Sequence, residues 1–240
     1  MTENWTRPVE QIVLSATGQS DRIIGFTAPE PHLGVSRLSH HVAEVFALSG
    51  FNTLLVDLTP SVQESPLPVQ DSPRQLWLPG TGNSRTCIVR HERGFDFVTA
   101  RMTAGTRFAF NNVNQIRQML SVELADYAKV VMDIPAIHDR RGGLVNPVAA
   151  AASCDSVLLV CVIGEVTQPQ LKSAVELLRA ARCKLTGTVL LERNDTSAGV
   201  EIARLLRRVF RAAPRIADWL ARRALSSEWL NVEKYNGHDE

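Results

Sequence analysis

The residues with the most chemical potential fall in one ten-residue stretch, 28–37 (APEPHLGVSR), between an apolar run and a segment of helical periodicity. A glycine followed by a hydroxyl residue at the start of a helix is the layout of a phosphate cradle. Backbone N–H groups at the helix start point at the anion and the helix dipole favours it. A complete cradle also carries a lysine on the β/γ-phosphates and a Ser/Thr hydroxyl on Mg²⁺. Gly34 and Ser36 fit that pattern, whereas Val35 stands where the lysine belongs and Arg37 follows two positions late. His32 occupies a position where glycine is usual, and Glu30 adds a negative charge. The nucleotide-binding set Gly34, Val35, Ser36 and Arg37 is therefore read as vestigial. Normal phosphoryl transfer is not expected, because an electrostatic donor of the missing kind is worth about 3 kcal/mol or more.

Two acidic residues end apolar runs further along, Asp57 after NTLLV and Asp133 after YAKVVM. With Ser36 they are the candidate ligands and water-positioning groups for a Mg²⁺ ion. The alternative is that they are inherited carboxylates that now cap loops. No catalytic residue and no resident metal are expected. His32, His40 and His41 are read as solvated rather than metal-bound. Cys87, Cys154, Cys161 and Cys183 match no zinc spacing and are read as reduced structural thiols.

The elements that must position these groups alternate. The runs at 22–27 and 52–58 read as buried strands, 156–163 as a fully apolar strand, 127–134 and 185–191 as two more strands, and 87–90 and 95–99 as candidate strands around a charged turn. Helical spacing marks 35–49, 112–124, 144–153 and 168–181. Between 59 and 81 lies a proline-rich excursion anchored by Trp77 and Leu78. Strands alternating with helices predict an α/β fold, a doubly wound and mostly parallel sheet with helices on both faces. Ligands of such sheets bind at the carboxyl ends of the strands. That rule directs attention to 27–36, 57–60, 133–138 and 164–167.

The chain has 240 residues, 45% of them hydrophobic and 21% charged, with a net charge of +1. This size suits a domain of residues 21–195 preceded by an N-terminal extension (1–20) and followed by basic helices and a tail (196–240). No run approaches the ~20 apolar residues of a membrane span, and the start carries no secretory core, so a cytoplasmic location is expected. The tail holds Arg204, Arg207, Arg208, Arg211, Arg215, Arg222 and Arg223 against Glu201 and Asp218. Its plainest reading is a solvated face. Its functional reading is a dock for an anionic membrane surface or an acidic partner segment. A near-neutral chain without a reading motif argues against nucleic acid.

These motifs resemble, in order and spacing over residues 20–195, the cytoplasmic kinase domain of bacterial tyrosine kinases (BY-kinases), within the broader MinD/ParA class of P-loop proteins. The family loop T-S-x-x-P-G-E-G-K-S aligns with residues 27–36. Its L-L-V-D-x-D motif aligns with 54–59, keeping Asp57 and replacing the second Asp by Thr59. Its D-Y-V-I-I-D-T-P-P motif aligns with 126–136, keeping Asp133 and Pro135 but with Ile134 and Ala136. Residues 154–191 resemble the family's A-D-x-V-L-L-V to G-V-V-L-N segment, with Leu191 in place of the Asn that helps hold the base. The E-x-x-R-x-x-R assembly motif is missing, and the C-terminal tyrosine cluster is reduced to Tyr235, read as an ordinary tail residue.

The resemblance implies a degenerate P-loop protein of exopolysaccharide or capsule synthesis and export. It would act as a non-catalytic pseudokinase docked on a membrane-embedded co-polymerase or chain-length regulator, and so sit peripheral to the inner membrane. Leu33 with Arg204, Arg207, Arg208 and Arg211 would form the docking surface. A homo-oligomer and an anionic membrane are further candidate partners. No cofactor is expected beyond weak ATP/Mg²⁺ binding. The rival expectations are an active ATPase or tyrosine autokinase with an atypical loop, and a MinD/ParA-like positioning factor.

Overall fold

The computed structural model describes residues 3–18, 20–59, 77, 84–99, 109–139 and 145–191. The C-terminal arginines and Tyr235 lie outside these residues. Seven strands form one sheet: β1 (Ile23–Thr27), β2 (Thr53–Asp57), β3 (Val89–Arg90), β4 (Asp96–Thr99), β5 (Lys129–Asp133), β6 (Ser156–Val162) and β7 (Leu185–Leu191). The spatial order is β3-β4-β2-β5-β1-β6-β7. Every pairing is parallel except β3 with β4. The expected α/β fold is therefore present.

Helices α1 (Glu3–Gly18) and α2 (Val35–Leu48) cover one face. On the other lie α4 (Val113–Gln118), α5 (Pro147–Ala152) and α6 (Gln168–Ala180), while α3 (Ser84–Cys87) is a single short turn beside β3. Period-two alternation distributes the strand residues between the two layers. Leu54, Val56, Val130 and Met132 enter the α4–α6 layer, whereas Leu55 and Val131 enter the α1–α2 layer. Burial on both faces explains why these strands read as continuous apolar runs.

Three local expectations change. Residues 1–20, which the sequence reading left without an element, contain α1. Its Val9, Ile12, Val13 and Ala16 are buried at i, i+3, i+4, i+7 spacing. The predicted 112–124 helix splits into α4 and a wider π-helical turn, Met119–Glu123. There the Arg22 guanidinium donates to the carbonyls of Leu120 and Leu124, anchoring that turn to the start of β1. The strand predicted at 87–90 is shortened to β3, because residues 84–87 coil into α3. Trp77 is an anchor as expected, fully buried and packed edge-on against Phe110 with ring centroids 5.7 Å apart. Among the described residues no helix is long and apolar enough to cross a membrane.

Candidate phosphate-binding site

The central strand β1 delivers the loop. Its position between β5 and β6 places residues 28–34 at the carboxyl edge of the sheet, where strands on both sides end. The residues after β5 continue alongside: the N–H groups of Ile134, Ile137 and His138 donate to the carbonyls of Phe26, Ala28 and Pro29 at 2.9, 2.8 and 3.1 Å. Thr27 Oγ1 donates to the Pro135 carbonyl at 2.7 Å. The 27–36 and 133–138 segments that the sequence singled out are thus laced together.

The loop keeps the backbone of an anion cradle with changed side chains. Gly34 caps α2 in the left-handed region with φ 81°, and no side chain caps the helix start. His32 is also left-handed, φ 65°, in the place where glycine is usual. That conformation is costly for a residue with a Cβ. Val35 and Ser36 are half-buried at the first helical positions, and Arg37 is exposed. The α2 start therefore offers backbone N–H groups and one hydroxyl, with an apolar side chain at the position of the expected cation.

Leu33 does not fulfil its expected docking role. It is 4% exposed and packs with Ile24, Phe26 and Leu38 under α2. An apolar side chain flanked by two left-handed residues is turned inward because burial removes its surface from water. Ile134 is likewise buried, at 1% exposure. His40 also departs from its solvated reading. Its ring lies within 6 Å of the Phe95 and Phe97 ring centroids, at 5.8 and 5.9 Å, and 6.1 Å from His91. Burial holds its pKa down to about 4, with His91, His41 and Arg93 adding in the same direction.

The acidic pair is brought together. Asp57 and Asp133 are register partners on β2 and β5, and both are buried. Thr59, in the place of the family's second Asp, donates to Asp57 Oδ1 through its N–H at 2.8 Å and its hydroxyl at 2.5 Å. Among the described residues no group of three or more His, Cys, Asp or Glu side chains is arranged to hold a metal ion.

Sequence reasoning missed one contact at this site. Glu30 Oε1 accepts from Gln170 Nε2 at 3.0 Å, joining the loop to the first turn of α6. Gln170 is fixed by a capping box, its Oε1 accepting from the Thr167 N–H and hydroxyl at 2.9 and 2.7 Å. The T-x-x-Q spacing was the available signal.

Comparison with solved structures places this geometry. The kinase domain of the Escherichia coli tyrosine kinase ETK superposes with a TM-score of 0.62 at 18% identity, over 78% of this chain and 74% of that one. The fold is that of the bacterial tyrosine-kinase domains. The BceF tyrosine kinase domain gives a TM-score of 0.55 at 20% identity, covering 76% and 73% of the two chains. The MinC:MinD cell division protein complex of Aquifex aeolicus gives 0.53 at 15% identity, covering 71% and 68%. No protein-family model and no curated protein matches the sequence.

Proposed function

We propose that this chain is a non-catalytic relative of the bacterial tyrosine kinases. In this reading it serves as an accessory or regulatory protein in exopolysaccharide or capsule synthesis and export. The observation that carries the reading is Val35 on a cradle whose backbone is kept: Gly34 has φ 81° and α2 begins at residue 35, but the side chain there is apolar. Glu30 and His32 depart from the cradle in the same direction. The fold similarity supports the general kind of protein. The MinC:MinD complex gives a precedent for a protein of this fold held with a protein partner.

The partner in this reading is a membrane-embedded co-polymerase or chain-length regulator. Leu33 takes no part in the contact. The electrostatic half of the dock, Arg204, Arg207, Arg208 and Arg211, stays in the proposal. Calorimetry with ATP and Mg²⁺ tests the non-catalytic half: binding weaker than about 0.1 mM, roughly −5.5 kcal/mol, is expected, with no hydrolysis. Micromolar binding with turnover lost in Asp133→Ala overturns it. Capture of the co-polymerase from native membranes, reduced at low salt when the four arginines are changed to Glu, tests the docking half.

The retained Asp57–Asp133 pair favours a second reading, an ATPase or autokinase with an unorthodox loop. The same calorimetry and turnover assay separate the two.

A further inference from the structure

The backbone and the charges of the loop point in opposite directions. Two left-handed residues, His32 and Gly34, shape a cradle at the start of α2, and such a helix start favours an anion. Glu30, four residues before Gly34 in the same loop, is an acid that opposes one. It is half-buried, and a partly buried charge is screened less by salt than a surface one. It is also held in place. Gln170 Nε2 donates to Glu30 Oε1 at 3.0 Å. The amide of Gln170 cannot easily turn over, because its oxygen accepts two bonds from Thr167 at 2.9 and 2.7 Å. The chain of contacts therefore runs from the N-cap of α6, through one oriented amide, to the carboxylate in the loop.

We propose that Glu30 and Gln170 form a charge guard on the phosphate loop, with Gln170 holding the Glu30 carboxylate where its charge turns away phosphate-bearing ligands. This rests on the reading of the loop as a vestigial cradle and adds a cause to it. The absence of lysine at position 35 withholds an attraction, whereas the guard supplies a repulsion. Gln170 acts here as a positioning residue, since its contact is with Glu30 rather than with a ligand.

Two variants separate charge from position. Glu30→Gln retains an acceptor oxygen for Gln170 and removes the charge. Gln170→Leu retains the charge and removes its anchor. The probes are inorganic pyrophosphate and adenosine, titrated at low ionic strength into the full chain, with circular dichroism confirming the fold. Glu30→Gln is expected to bind pyrophosphate about tenfold more tightly than the parent, the effect of one unit charge at partly screened range, with adenosine unchanged. Gln170→Leu should give a smaller gain, about threefold, as the unheld carboxylate moves toward water, with faster amide exchange across 28–34. Pyrophosphate binding unaltered in Glu30→Gln, or undetectable in both proteins at millimolar concentrations, overturns the proposal. So does an equal gain for adenosine, which would report a loosened loop. Gln170→Leu matching the parent in both affinity and exchange removes Gln170 from the guard. ATP turnover by the parent would overturn the non-catalytic reading and leaves these pyrophosphate comparisons intact.

Discussion

Asp57 and Asp133 stand side by side at the ends of adjacent parallel strands, register partners on β2 and β5 that are only 4% and 1% exposed. Register pairing sends both side chains from the same face of the sheet. Thr59 donates to Asp57 Oδ1 through both its N–H and its hydroxyl. The Asp57 carboxylate is therefore an acceptor that a neutral amide would serve less well.

Those two bonds predict the response to isosteric neutralisation. Asp57→Asn forfeits a charge-assisted acceptor for Thr59 and should lower stability by about 1–2 kcal/mol. Urea unfolding of the variant measures the loss. An unchanged midpoint would mean that the Asp57 charge adds nothing to those two bonds.

How far the sequence reached depended on the kind of signal. The strands β1, β2, β5 and β6 were legible because burial on both faces leaves unbroken apolar runs, and α2 and α6 because their core stripes are regular. The helix α1 was missed although Val9, Ile12, Val13 and Ala16 have helical spacing. Its stripe is short and polar residues separate it, so no local signal distinguished packing from a solvated tail. At the site, the positions of Gly34, Val35, Ser36, Asp57 and Asp133 followed from motif order. The inward turn of Leu33 did not, because it depends on φ 65° at His32, a conformation that histidine seldom announces. Nor did the Glu30–Gln170 bond, which spans 140 positions and is set by β6 lying beside β1.

Restoring the cation should restore binding before chemistry. Val35→Lys supplies the missing donor on a backbone already bent for it, so ATP affinity should rise above that of the parent. His32, Thr59 and Ile134 still depart from the family pattern, and no phosphotyrosine is expected. Calorimetry and an anti-phosphotyrosine blot of the purified variant check the two halves. A strong phosphotyrosine signal would show that position 35 alone silences the site.

His40 makes stability depend on pH in a definite direction. Its folded pKa, about 4, lies below the ordinary 6.5, so the unfolded chain binds the extra proton first. Stability is then fully present above pH 6.5 and is lost as pH falls toward 4. Folding to the neutral ring is worth about 3 kcal/mol over that window. The groups around it have a consistent arrangement. His91 stacks on Phe95 at 4.4 Å, Arg93 and His41 share Glu44 at 2.7 and 3.6 Å, and a protonated His40 would join them as a further cation. Thermal unfolding between pH 7.5 and 4.5 should show the loss, and His40→Phe should flatten it. An unchanged slope in that variant would assign the pH dependence to other groups.

The approach of β1 to the residues just past β5 and α5 sets a final, steric test. Gly25 pairs with Met132 on β5 and Val157 on β6, in the middle of the sheet. A Cβ added there would stand 2.8 Å from both Cys154 Sγ and Ile134 Cδ1. Neither neighbour has room to yield. Ile134 is buried, and the Cys154 thiol is in contact with Met132 Sδ at 3.6 Å and the Ala150 carbonyl at 3.4 Å. Gly25→Ala should therefore cost about 1–3 kcal/mol by overpacking. Ile134→Val removes the clashing methyl, so the double variant should recover part of that loss and give a favourable coupling in a double-mutant cycle. Because the Ile134 N–H bonds the Phe26 carbonyl at the entrance to the loop, the displacement should also reach the cradle, as faster amide exchange across 27–34 in Gly25→Ala. A destabilisation without coupling to Ile134 would place the strain on Cys154 instead.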